Sequence, residues 1–377
     1  MSTKHYPVNP DRAIPWNELP LLPIDKELYY TLEMMESLAN AKAALAKLQG
    51  RSAAIPNQGV LINSISLQEA KASSAIENIF TTDDELYKAY SEEGSGEQQQ
   101  GAPKEILRYR EALWAGHKYM YNKSDFDTQY FIRLYREIKE TSDGIRPPTA
   151  AIIIRQGGSG PNAGKVIYTP PRGKGIIENK LNNLLEFVND DGKYKVDPLL
   201  KMAIAHYQFE AIHPFRDGNG RTGRIFNIHY FTNKGLLDLP ILFLSRYIMD
   251  NKDDYYSCLS GVSQRGNWQS WICYMLKAVE VTSNITYIKI NDIITAKESI
   301  LKAIETDTDI RMPGQLTEMI FTQPFTKVKH LTDKKMYAEN TARNYLQTLC
   351  DMGILEKKTI QGKHYYLNLE LYRILSE

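Results

Sequence analysis

The chain has few cysteines, almost no net charge and no long apolar run, and each lack removes a class of function. Its three cysteines, Cys258, Cys273 and Cys350, are scattered without CxxC spacing. That excludes a disulfide framework or a cysteine-based zinc site, and fits small buried residues in a reducing compartment. With 46 Lys and Arg against 45 Asp and Glu, the net charge is +1, so no global field draws the chain to nucleic acid or an acidic membrane. No stretch is apolar for long enough to span a bilayer, and the start "MSTKHYPVNPDRAIPW" has no apolar leader segment. The expectation is a soluble, cytoplasmic protein without a membrane partner. Internal repeats are absent too. The seven histidines form no metal-ligand cluster. His206 reads as a satisfied core histidine, and His229, His330 and His364 are scattered. A hydrophobic fraction of 42% is nonetheless an ordinary globular value, and 377 residues exceed one compact core, so two or three domains are expected.

The periodicity is mainly helical. Apolar spacing predicts helices over Ile24–Gly50 and Ser64–Ile79, with a third beginning at "DDELYKAY". The polar stretch "SEEGSGEQQQGAP" reads as a surface loop, followed by helices in "KEILRYREALWAGHKYM" and "DTQYFIRLYREIKE". Two β-type runs, Ala151–Arg155 and Lys165–Thr169, flank a Gly/Pro/Asn-rich tip and predict a hairpin. Lys201–Ile212 is apolar nearly all round, the pattern of a buried central helix. The tail differs: three short helices, then two strands around Gln361–Gly362, an order that resembles a winged helix-turn-helix. Its basic excess is too slight to establish DNA binding. The expected division is 1–100 for an N-terminal helical segment, 101–305 for a helical core and 306–377 for the C-terminal module.

The chemistry is concentrated in "HPFRDGNGRTGR", His213 to Arg224. Gly218 and Gly220 around Asn219 let successive N–H groups point into one concavity at a helix N-terminus, an anion site. Arg221 and Arg224 are three apart and can fork two phosphate oxygens from one helix face. Asp217 offers a hard oxygen beside them, the ligand type for Mg²⁺. His213 titrates near neutrality and can take a proton from an attacking hydroxyl. Phe215 carries no such chemistry and anchors the loop. Together these residues describe a phosphoryl- or nucleotidyl-transfer site.

This stretch resembles the motif of the Fic family, HPFx[DE]GN[GK]RxxR, at every defined position, and the likeness extends over roughly residues 20 to 300. The resemblance implies a mainly α fold: a helical core with a β-hairpin flap. It also implies transfer of AMP from ATP to a protein hydroxyl, with Mg²⁺. Carried over, His213 is the catalytic base, Asp217 the metal ligand, and Asn219 with the Gly218 and Gly220 amides the anion hole. Arg221 then meets the β-phosphate and Arg224 the γ-phosphate. "SSAIENI" matches the family's inhibitory pattern [ST]xxxE[GN] through Ser73, Glu77 and Asn78. Ser73 and Glu77 lie one helical turn apart, so the serine is expected to steady the carboxylate and Glu77 to pair with Arg224. The same glutamate assists AMP removal in some members. The hairpin corresponds to the flap that pairs with a target backbone. "YIMDNKDDYYSCLSGV" resembles the wall for the base, with adenine against Tyr255 or Tyr256; Ser263 stands where some relatives have a ribose-binding asparagine. "PWNELPLLP" resembles an N-terminal segment of some members, and a homodimer is a family-level expectation. A reading of another class is a regulator whose C-terminal module binds DNA or protein and whose core senses nucleotide. The complete motif favours the enzyme.

Overall fold

The structure is a computed structural model and describes residues 6–9, 11–53, 58–92, 101–155, 164–360 and 362–376. The first long helix, α1 (Leu32–Ala53), begins later than its apolar spacing suggests. Asp25 accepts from the Glu27 amide and caps a single 3-10 turn, and Thr31 then accepts from the Met34 amide to start α1. Helix α2 (Gln58–Ile76) starts before Ser64 and stops short of Ile79. Asn78 adopts φ 62°, a left-handed residue that ends the helix, so Glu77 lies in the closing turn and not on the helix face. Helix α3 (Asp83–Ser91) opens on a Thr82–Glu85 capping box. Then come α4 (Ala102–Met120) and α5 (Thr128–Lys139), the latter capped by Asp127. Most of the polar stretch before α4, residues 93–100, lies outside the described residues.

The hairpin pairs β1 (Ile154–Arg155) with β2 (Val166–Tyr168), antiparallel. Its strands are shorter than the β-type runs because Thr169 is engaged elsewhere. The Thr169 carbonyl accepts from Trp16 N at 3.0 Å, and its hydroxyl donates to the Arg12 carbonyl at 2.7 Å. The N-terminal segment thus lies against the far end of the flap. The hairpin tip, 156–163, lies outside the described residues.

The core gathers around α6 (Ile176–Asn189), α7 (Pro198–Ile212) and α8 (Asn219–Asn233). From Leu199 to Ile212, every residue of α7 except Glu210 is buried, as its all-round apolar sequence requires. His206 is among them: its Nε2 lies 2.9 Å from the Tyr255 hydroxyl and its ring stacks on Trp271. Helices α9 (Leu244–Asp250) and α10 (Lys252–Arg265) follow. The 40-residue α11 (Trp268–Asp307) then packs along α1 and against α7, running past residue 305.

The C-terminal unit runs α12 (Pro313–Thr322), β3 (Phe325–Thr326), α13 (Val328–Asp333), α14 (Glu339–Asp351), β4 (Leu355–Ile360), β5 (Lys363–Asn368) and α15 (Leu369–Ser376). It holds the three helices and the hairpin of the sequence reading, adding β3 and α15. The sheet order is β3-β5-β4. Helices α12 and α15 pack on both α11 and α2. Among the described residues, no helix is long and apolar enough to cross a membrane.

Candidate active site

The loop from His213 to Gly218 reverses the chain between α7 and α8 so that the end of one faces the start of the other. His213 is the C-cap of α7 at φ 51°, ψ 60°, a left-handed conformation that an L-residue adopts at a cost of about 1–2 kcal/mol. Phe215 anchors the turn, stacking on Tyr135 with centroids 4.3 Å apart and planes 8° from parallel. Asn219 closes it: its Oδ1 accepts from Phe215 N and its Nδ2 donates to Phe215 O, both at 2.9 Å. The Asn219 side chain is therefore a loop tie, with its polar atoms turned to the backbone and not toward an anion. Gly218, at φ 72°, caps α8, and its amide donates to Asp217 Oδ1 at 2.6 Å. That amide is occupied within the loop, unlike the free anion-hole donor the resemblance implies.

Burial first, and the Arg146 guanidinium second, push the His213 imidazole down to about 4. It is neutral at physiological pH, the form that accepts a proton.

Every charged group of the motif that faces the site is paired. Arg224, 1% exposed, donates through Nη2 to Glu77 Oε1 at 2.9 Å and to the Ser73 carbonyl at 2.9 Å, and through Nε to Ser73 Oγ at 2.8 Å. The serine was expected to steady the carboxylate; it binds the arginine directly, because α2 ends before Glu77. Burial works against the guanidinium's charge, but Glu77 and nearby groups outweigh it and hold Arg224 protonated. A side chain at Gly220 would collide with the Glu77 carboxylate and with Arg224 Nη1. Glu77 thus lies against the first turn of α8, where an anion is favoured by the helix dipole. The Asn78 side chain points elsewhere and accepts from Lys252 Nζ at 3.1 Å.

Arg221, also buried, pairs with Glu105 of α4 at 3.1 Å. Asp217 Oδ2 meets Lys139 Nζ at 2.6 Å. Burial opposes ionisation at Asp217, and the ammonium with the Gly218 amide overcomes it, lowering the carboxyl below its ordinary value. Glu105 and Lys139 were not legible as site residues, since each sits in an ordinary amphipathic helix far away in sequence. Glu210 was missed as well. It is the one residue of α7 after its first residue, Pro198, that is not fully buried, and burial, with Glu77 adding to it, pushes its carboxyl up to about 8.

The two tyrosines part company. Tyr255 is a core residue, 2% exposed, held by His206, and offers no face to a nucleotide base; Tyr256 is 41% exposed and packs edge-on against it. Ser263 is buried, with its carbonyl accepting from Asn9 N at 2.7 Å and its hydroxyl donating to Ser260 O. That leaves no open contact for a ribose at that position.

Among the described residues no cluster of three or more His, Cys, Asp or Glu could hold a metal. Asp217 fits Mg²⁺ as one ligand: its side chain is a hard, 65% exposed carboxylate, paired with Lys139 and near enough to Arg221 to feel its charge. Mg²⁺ is commonly held by one or two carboxylates plus substrate phosphates and water.

Three family models match the chain in succession: the Fic/DOC family N-terminal region over 35–118, the Fic/DOC family over 125–231, and the SoFic-like protein adenylyltransferase C-terminal domain over 305–371. Among curated proteins it is similar to protein adenylyltransferase fic-1 of Caenorhabditis elegans, 30% identical over 115 residues, which is 30% of this chain and 21% of that protein. A probable protein adenylyltransferase of Aquifex aeolicus is 33% identical over 73 residues, 19% of this chain and 22% of that protein. The matched region thus spans about a fifth of these relatives. Among solved structures, a Fic family protein from Desulfovibrio desulfuricans G20 shares the fold with a TM-score of 0.55 at 17% identity, covering 90% of this chain and 96% of that one. Fic-1 of C. elegans gives 0.50 at 19% identity, covering 68% and 71%. With N-terminal, core and C-terminal models matched in one order along a shared fold, the chain belongs to the Fic/DOC family.

Proposed function

We propose that this protein is a protein adenylyltransferase: it moves AMP from ATP to a hydroxyl side chain of a target protein and rests in a state inhibited by Glu77. The observation that carries this reading is the neutral His213 imidazole at the end of α7, facing the start of α8 with its two buried arginines. The names of the similar proteins, adenylyltransferases from several organisms, support it. His213 takes the proton as the target oxygen attacks the α-phosphorus, the new phosphodiester forms, and diphosphate leaves. Arg221 and Arg224 neutralise the phosphates of ATP, and Tyr256 lines the base. Mg²⁺ bound at Asp217 would supply further charge neutralisation on those phosphates.

Inhibition follows from occupancy. Arg224 already has a carboxylate partner, and Glu77 lies against the α8 terminus that a terminal phosphate would need. ATP therefore meets both a filled anion site and a neutralised arginine. The target docks by its backbone on the flap strands. A homodimer and a reverse, AMP-removing activity through Glu77 extend the same reading.

The test is the intact mass of Glu77→Gly incubated with Mg²⁺-ATP, beside wild type and Glu77→Gly/His213→Ala. A gain of adenylate mass in the single variant alone is expected, on itself or on an added cell extract. No gain anywhere, together with no ATP binding by calorimetry, would sink the adenylyltransferase reading.

A further inference from the structure

Arg146 is a buried cation, 2% exposed, and it forms no ion pair among the described residues. Leaving a guanidinium in the interior without a carboxylate is costly unless its N–H groups are well satisfied. Here its hydrogen bonds run to backbone carbonyls from three separate places. Nε donates to the His213 carbonyl at 2.8 Å, and Nη2 donates to Pro171 O at 2.6 Å and Ile212 O at 3.3 Å. Nη1 lies 3.5 Å from Ala150 O. The backbone amide of the same residue donates to Pro214 O at 2.9 Å.

These acceptors have a pattern. Ala150 and Pro171 bracket the flap, one just before the run that leads into β1 and the other just after β2. Ile212, His213 and Pro214 are the end of α7 and the turn that aims the imidazole. The carbonyls ending a helix carry its negative partial charge, so a cation there is electrostatically favoured without any carboxylate. His213 also needs holding, since its left-handed backbone is the strained point of the loop. Tyr168 of β2 reinforces the connection by donating its hydroxyl to Ala211 O at 2.9 Å. A lysine has the charge but not the planar fork that reaches acceptors on opposite sides.

We infer that Arg146 is a positioning residue that joins the flap to the catalytic base. Through one guanidinium, the base of the strands that receive a target and the backbone that directs His213 form a single unit. A target seated on the flap then bears on the orientation of the imidazole, while the phosphate-binding arginines on α8 are untouched.

The experiment compares Arg146→Gln and Arg146→Lys, each in the Glu77→Gly background, by two readouts. Hydrogen–deuterium exchange needs no activity: exchange should rise together at 150–155, 164–171 and 210–216 in Arg146→Gln, with α11 unchanged. Kinetically, kcat should fall on the order of a hundredfold, the effect of an ångström-scale misplacement, while KM for ATP holds and Arg146→Lys recovers part of the loss. The kinetic arm rests on the adenylyltransferase reading. If the Glu77→Gly parent transfers nothing, the kinetic arm has no signal and the exchange data alone decide the role of Arg146. Exchange rising at only one of the two sites, or kcat unchanged in Arg146→Gln, overturns the coupling. Should Arg146→Gln fail to fold, Arg146→Lys keeps the charge and must still loosen both sites.

Discussion

A guanidinium has five N–H groups and accepts nothing, so a buried arginine is only as fixed as its acceptors. At Arg224 those acceptors are the Glu77 carboxylate and both oxygens of Ser73, all from the end of α2. The serine thus holds the arginine directly, and under the proposed inhibition it helps to keep that arginine from a phosphate. Removing its hydroxyl in Ser73→Ala takes away one hydrogen bond to a charged group, worth about 1.5–3 kcal/mol. ATP affinity measured by calorimetry should improve about tenfold or more, short of the release expected for Glu77→Gly. An unchanged affinity would mean that Glu77 and the Ser73 carbonyl hold the arginine without help from the hydroxyl. Spacing marked out Glu77 and Ser73 in advance, but not how they divide the work. That depended on where α2 stops, which Asn78 decides by its left-handed backbone.

Among elements, the loop between α7 and α8 behaves as a preformed bracket, and the side chain of Asn219 locks it. Asn219→Ala would leave the Phe215 amide and carbonyl without partners in a buried turn. Each unsatisfied buried group costs about 1–3 kcal/mol, so chemical denaturation should register a loss of about 2 kcal/mol or more. A purely anion-binding asparagine would leave stability nearly unchanged. The flap shows the same dependence on its surroundings. Its two runs were visible as β-type sequence, yet only short segments pair, because Thr169 turns to the N-terminal segment through Trp16 and Arg12. A sequence records which residues favour strand; which neighbour takes their hydrogen bonds is a matter of packing.

For the whole molecule, burial of ionisable groups sets how stability responds to pH. His229 accepts or donates only inside the core, between Tyr130 OH at 2.7 Å and Leu113 O at 2.8 Å, and burial pushes it from 6.5 down to about 3. The unfolded chain takes a proton there below pH 6.5 that the folded chain refuses until about 3, so stability falls as pH drops through that window. Glu210 has the opposite sign: raised from 4.5 to about 8, it keeps a proton when folded that the unfolded chain has lost, and stability falls as pH rises between those values. In denaturation series across the acid window, His229→Gln should flatten the slope of stability against pH by about 1.4 kcal/mol per pH unit. A slope equal to that of wild type would mean that the imidazole titrates alike in both states.

The sequence by itself determined the family, the helical character and the position of the loop between α7 and α8, because those depend on local spacing: a left-handed turn favours glycine at 218, and a buried helix must be apolar all round. The tertiary structure alone decided the partners. Glu105 for Arg221, Lys139 for Asp217, His206 for Tyr255 and Arg146 for His213 come from elements far apart in the chain. No local pattern marks them, since charge pairing and burial act through space, and only packing brings α4, α5 and the flap against the ends of α7 and α8.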